Sequence, residues 1–168
     1  MIFLIREGKM DDLNKIEDMV SRAKIVMKRE GNEQWNDDYP KREHYETDLN
    51  NGELYVCEME GEVVGACCIS DEGHHEYKEI NWSNDEPYLC IKRLVVDPRV
   101  QGKGIGKKFY EFIEALAKER GINYVRTDTN EHNKAAIRLF EKSHYTLVDK
   151  RRHGHYKGAF CYFEKEVE

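Results

Sequence analysis

The run VVDPRVQGKGIGKKFYEF, Val95 to Phe112, alternates glycines with other residues, adds lysines and then passes into an apolar helical pattern. Glycine at such a junction lets main-chain N–H groups turn toward a ligand with no Cβ in the way. A helix N-terminus contributes unpaired donors and the positive end of its dipole, and Lys103, Lys107 and Lys108 add full charges. The chemistry these residues suit is the binding of a phosphate or diphosphate. Two common phosphate motifs fail here. A Walker A loop needs four residues between its glycines and then Lys-Ser or Lys-Thr; Gly102 and Gly106 enclose three, and Lys107-Lys108 follow, so the magnesium-binding hydroxyl is missing. A dinucleotide fingerprint needs glycine where Lys107 stands.

The elements that must position this turn follow from periodicity. Residues 2–6 read as a strand. Leu13, Ile16, Val20, Ala23 and Met27 then recur at helical spacing until Gly31. Pro40 opens a second helix to about Leu49. ELYVCEM and EVVGACCIS form a hairpin through Glu60-Gly61. A polar stretch, Asp71 to Pro87, is long enough to suggest function or mobility. YLCIKRLVV reads as a central strand. Gly104 to Lys118 is a helix carrying Ile105, Phe109, Phe112, Ile113 and Leu116, with Gly121 just past its end. INYVRTD, NKAAIRLFEK, YTLVDKR and AFCYFEKEV add a strand, a helix and a final hairpin. The order β-α-α-β-β-β-α-β-α-β-β predicts one α/β domain over residues 1–168, a mixed sheet with helices on both faces.

Gln101-x-x-Gly104-x-Gly106, placed after VVDP and before a helix, resembles the signature of the GNAT superfamily of acyl-CoA-dependent N-acetyltransferases. NKAAIRLFEKSHY resembles that family's Asn-x-x-Ala-x-x-Leu-Tyr-Glu-Lys-x-Gly-Phe segment through Asn133, Ala136 and Leu139, and the element order matches over nearly the whole chain. The resemblance implies acetyl-CoA as co-substrate. Main-chain donors of Gln101, Gly102, Lys103, Gly104, Ile105, Gly106 and Lys107 would bind its diphosphate. Leu94, Val95 and Val96 would pair with the pantetheine arm as though it were another strand, Asn133 would hydrogen-bond that arm, and Phe140 would lie against it. Strand edges have unpaired main-chain groups to offer such a peptide-like arm.

The resemblance implies direct attack by an amine on the thioester. An alkylamine with a pKa near ~10.4 is protonated at neutral pH, so a base must remove the proton. Asp128 stands where some members place a catalytic glutamate; a carboxylate that only caps the DTNEHN loop is the alternative, and Glu79, Glu86 and the histidines of the 71–87 stretch remain in play. Many members carry tyrosine at the Phe140 position, whose hydroxyl can protonate the departing thiolate. Phe140 has none, which predicts a slower enzyme or a proton from water or Tyr145. His144 replaces the glycine expected after the helix and predicts a small stability cost.

The acceptor pocket implied by the fold draws on GNEQWNDDYP, EINWSNDEPY and RRHGHYKGAF. Trp35, Tyr39, Trp82 and Tyr88 are its candidate walls, and Glu33, Asp37, Asp38 and Glu86 would attract a cation. A small amine or a peptide amine is the expected partner. A net charge of −6 argues against nucleic acid and anionic membrane. No apolar run could span a bilayer and no signal-peptide pattern opens the chain, which predicts a cytoplasmic protein. Five cysteines in apolar runs without CxxC spacing read as reduced core residues, and no metal site is expected. Exposed strand edges leave room for a homodimer. A non-catalytic acyl-CoA-binding or regulatory module is the competing function, which Phe140 keeps open.

Overall fold

Seven runs become strands: β1 (Phe3–Glu7), β2 (Leu54–Met59), β3 (Glu62–Ser70), β4 (Leu89–Val96), β5 (Tyr124–Asn130), β6 (Thr146–Arg151) and β7 (Phe160–Glu166). In the computed structural model, which describes residues 2–168, they form one sheet in the order β1-β2-β3-β4-β5-β7-β6. Only the β4–β5 pair is parallel. Helices α1 (Leu13–Arg29) and α2 (Arg42–Asn50) bury Leu13, Ile16, Val20 and Tyr45 against Val56, Ala66 and Val95. Helices α3 (Ile105–Glu119) and α4 (Lys134–Lys142) bury Phe109, Ile113 and Phe140 on the opposite face, against Cys67, Ile91 and Val125. This is the predicted element order and the predicted mixed sheet between helical layers. All five cysteines are buried and unpaired. Among the described residues no helix is long and apolar enough to cross a membrane.

The feature that makes a site is the parting of β4 from β5. Their ladder holds only Leu89 to Val125 and Cys90 to Arg126. Just beyond it β4 carries an extra residue: Ala66 and Cys68, two apart on β3, face Val95 and Lys92, three apart on β4. Arg93 sits in this bulge at φ +54°, a conformation that costs a branched or bulky L-residue of order 1 kcal/mol. Its contacts hold it there. The guanidinium donates to Asp48 (Nε to Oδ2, 2.8 Å) and to the Tyr39 hydroxyl (3.1 Å), and the Arg93 carbonyl accepts from the Tyr45 hydroxyl at 2.9 Å.

Turn chemistry agrees with the sequence at the tightest points. Glu60 (φ +54°) and Gly61 (φ +82°) are both left-handed, as a two-residue hairpin turn requires. His144 takes φ +67° in the position after α4. His144→Gly is therefore expected to raise stability by up to about 1 kcal/mol, read as a higher denaturant midpoint with unchanged slope. The 71–87 stretch differs from expectation. A 3-10 turn, His75–Glu79, buries Tyr77, and Ile80 is buried just beyond it. Trp82 packs on Tyr77 and Tyr162. The stretch is pinned to the sheet because Tyr77, Ile80 and Trp82 pack inward.

Candidate functional site

Separation of β4 and β5 opens a continuous cleft in three parts. A groove of about 430 Å³ runs from the glycine turn past Leu94–Val96 to α4. A narrow middle lies between the strands, floored by Tyr110 and Phe140. An outer pocket of about 420 Å³ is bounded by Tyr39, Glu76, His153, Tyr156 and Phe160. Trp35 lines all three, and Asp128 lines the middle and the outer pocket.

The glycine turn is built for close approach. Gly102 (φ +83°) and Gly104 (φ +77°) are left-handed, and no atom lies within 4 Å of where either Cβ would stand. Gly104 precedes α3 without any side-chain cap, so the helix's first N–H groups are free to bind an anion. Gln101, Gly102, Gly104, Ile105, Gly106 and Lys107 line the groove, whereas Lys103 is exposed on the turn outside its wall. Ile105 is buried at 2% exposure, so only its main chain can serve a ligand. Buried Asp97 fixes the turn to the body. It accepts from Arg99 N–H at 3.0 Å and pairs with Arg22 of α1 at 3.0 Å. Burial opposes its charge, but hydrogen bonds from Arg99 and Arg22 outweigh that and hold its pKa at about 2.

On the strand side, Val95 and Val96 pair with Ala66 and Gly65 of β3, and past Cys90 no β5 residue pairs with β4. The Val95 side chain belongs to the core, leaving main chain to the groove. Asn133 caps α4, its Oδ1 accepting from Ala136 N–H at 3.2 Å, and it faces both groove and cleft. Its Nδ2 is the donor left for a ligand.

Asp128 stands on β5 at the centre. Burial pushes its carboxyl up to about 6, against the Tyr77 hydroxyl, which donates to Oδ1 at 2.6 Å, and the nearby His153. A carboxylate poised there is a competent base near neutrality. Because the Tyr77 bond favours the charged form, Tyr77→Phe is expected to raise this pKa further. The acid limb of kcat against pH should then move to higher pH, with a larger loss at pH 6 than at pH 8. An unmoved limb would separate Tyr77 from the titrating group.

Several expected residues lie elsewhere. Trp82 and Tyr88 do not line the outer pocket; their rings clasp the Arg126 guanidinium, at 4.5 and 4.3 Å, behind Asp128. Glu33 and Asp38 pair with Lys157 and Lys41 at the surface, and Glu86 belongs to a separate depression beside Tyr124. Tyr145 does not reach the cleft: its hydroxyl donates to Glu114 at 3.0 Å, and burial with that neighbour pushes its pKa far up, so it is no proton source there. Trp35 and Tyr39 do line the pocket.

Gln34, His153 and Tyr156 lie in two of the runs expected to form the pocket, though not among the residues singled out, whereas Glu76 and Arg93 fall outside all three runs. Two cations inside an otherwise apolar strand, Lys92 and Arg93, were the available signal. His74, one of the histidines left open above, lines both middle and outer pocket, and burial lowers its pKa to about 4, so it is neutral at pH 7. Asp48, Glu53 and Cys68 bring ligand-type atoms within 4.8 Å of one another, a cluster that sequence spacing hides, but Asp48 is engaged by Arg93.

Residues 16–145 match the model of the acetyltransferase (GNAT) family. Among solved structures, a GNAT-family acetyltransferase of Streptococcus agalactiae superposes with a TM-score of 0.85 at 23% identity, covering 99% of this chain and 96% of its own. A Staphylococcus aureus Mu50 protein gives 0.76 at 28% identity, covering 98% and 99%. The yncA protein of Salmonella typhimurium, solved with its cofactor acetyl-CoA, gives 0.70 at 19% identity, covering 99% and 94%.

Proposed function

The chain belongs to the GNAT acetyltransferase family, and from that premise we propose that it transfers an acetyl group from acetyl-CoA to the primary amine of a small molecule or peptide. The observation that carries the proposal is the continuity of the cleft: an anion-binding turn, an unpaired strand edge and a carboxylate base lie along one path. The fit to acetyl-CoA rests on the open space over Gly102 and Gly104 and on the unpartnered main chain of β4. When bound, that co-substrate supplies an acetyl group activated as a thioester.

The chain's own residues do the rest. Main-chain donors from Gln101 to Lys107 neutralise the diphosphate, and Leu94–Val96 with Asn133 align the arm between the strands. Asp128 accepts the proton of the incoming ammonium, so the amine can attack as a free base. Tyr77 keeps the carboxylate oriented toward the cleft. Trp35, standing where groove meets pocket, excludes water from the junction. In the pocket, Glu76 and Asp128 favour a cationic acceptor, while Arg93 is already matched by Asp48.

The test is thiol release from acetyl-CoA against a panel of amines and peptide N-termini. Turnover with at least one acceptor, abolished by omitting it, is the expected result. Tight binding of the co-substrate without release on any acceptor would favour a non-catalytic acyl-CoA-binding module, the reading that Phe140 keeps open.

A further inference from the structure

Phe140 and Tyr110 share the floor of the cleft, their ring centroids 5.2 Å apart. Phe140 brings no polar atom to it. Tyr110 does: its hydroxyl lies 2.7 Å from Thr127 Oγ1, and neither oxygen has another hydrogen-bond partner among the described residues. Two hydroxyls hold two protons, and only one can lie between them. If Tyr110 donated, the Thr127 proton would be stranded, because Thr127 is fully buried and absent from the cleft wall. Stranding a buried donor costs about 1–3 kcal/mol. Thr127 therefore donates to Tyr110, and the Tyr110 proton is left for whatever occupies the cleft.

Resting on the acetyl-transfer reading above, we propose that the Tyr110 hydroxyl is the hydrogen-bond donor that stabilises the departing thiolate, a part the side chain at position 140 cannot play. As the thioester C–S bond breaks and its electron pair passes to sulfur, Tyr110 meets the developing charge with its O–H. It keeps its proton. Burial pushes the phenol far above its ordinary range, whereas an alkyl thiol sits near ~8.5, so full transfer from Tyr110 would run uphill and the thiolate is protonated later from water. The donation from Thr127 polarises the phenol and strengthens the bond it can give. The other charged or titratable groups lining this part of the cleft are Asp128, His74, Lys92 and Arg93, none of which the test alters.

The experiment titrates coenzyme A and its desulfo analogue by calorimetry at pH 7 and 9 into wild type, Tyr110→Phe and Tyr110→Phe/Phe140→Tyr. Wild type is expected to prefer the thiol form increasingly at pH 9. Tyr110→Phe should lose about tenfold or more of that preference while binding the desulfo analogue unchanged, as expected for a hydrogen bond to a charged group. The double variant should recover it, since a hydroxyl returns on the adjacent ring. Equal weakening of both ligands, or an undiminished preference in Tyr110→Phe, would overturn the assignment. Ultraviolet titration of coenzyme A bound to wild type gives a check free of any folding defect: a thiol pKa below about 8.5 supports it, and one at or above that value refutes it. Failure of wild type to bind either ligand would instead remove the acetyl-transfer reading, and this inference with it.

Discussion

Asp128→Asn is expected to lower kcat by ~10²–10⁴-fold, the range over which a positioned proton acceptor contributes, and to abolish the acid limb near pH 6. The same substitution is expected to stabilise the fold. Asp128 has a pKa raised to about 6 in the folded chain against 3.8 for an ordinary aspartate, so the native state binds the proton more tightly than the unfolded one. Stability is then lost as pH rises from about 4 to about 6 and stays lost above that. A shift of this size corresponds to roughly 3 kcal/mol at most, reduced by whatever water reaches the half-buried carboxylate through the cleft. Asparagine carries no charge to desolvate, and its carbonyl can still accept from Tyr77. Chemical denaturation of both proteins at pH 4 and pH 8 reads the effect: the variant's advantage should be small at the lower pH and largest at the higher. An unchanged kcat, or an advantage that shrinks as pH rises, would leave Asp128 as a loop carboxylate.

Gly104→Asp should weaken coenzyme A binding by about 100-fold. Aspartate tolerates the left-handed backbone that Gly104 adopts at φ +77°, and nothing within 4 Å obstructs its Cβ, so the fold should survive. The new carboxylate would project into the groove. A negative charge within about 5 Å of a doubly charged diphosphate costs roughly 3 kcal/mol at an effective dielectric near 40, hence the expected loss. Gly104→Asn carries the same backbone and bulk without the charge and should cost less than about fivefold. Calorimetric titration of the pair isolates the electrostatic part. Equal affinities for the two variants would mean that no anion docks at this turn.

The sheet and its flanking helices were legible because local signals agreed with one another. Gly104 and Gly121 bracket α3 at left-handed φ, Glu60-Gly61 closes the β2–β3 hairpin, and the apolar spacing in α1 and α3 marks the faces that are buried. The glycine turn was legible for the same reason, since its demands are met within one short run. The outer pocket was not. It is assembled from the α1–α2 loop, the 74–76 segment, β4 and the last hairpin, and no local pattern says which of their side chains meet. Trp82 and Trp35 look alike in sequence, each an aromatic in a polar loop. Arg126, buried on β5 with three rings around it, claims the first and leaves the second to the cleft. Arg93 reaches the pocket only because a bulge turns its backbone, and a bulge is a property of two strands together.

The buried cysteines carry a practical corollary. Desolvation lifts every one of their thiols, Cys57 to about 11 and Cys90 to about 12, and none is exposed. A disulfide dye added to native protein should consequently colour only with liberated coenzyme, giving an assay with a silent background. The same reagent, in the absence of any substrate, becomes a clock for global opening, because five new signals can emerge only when the sheet comes apart.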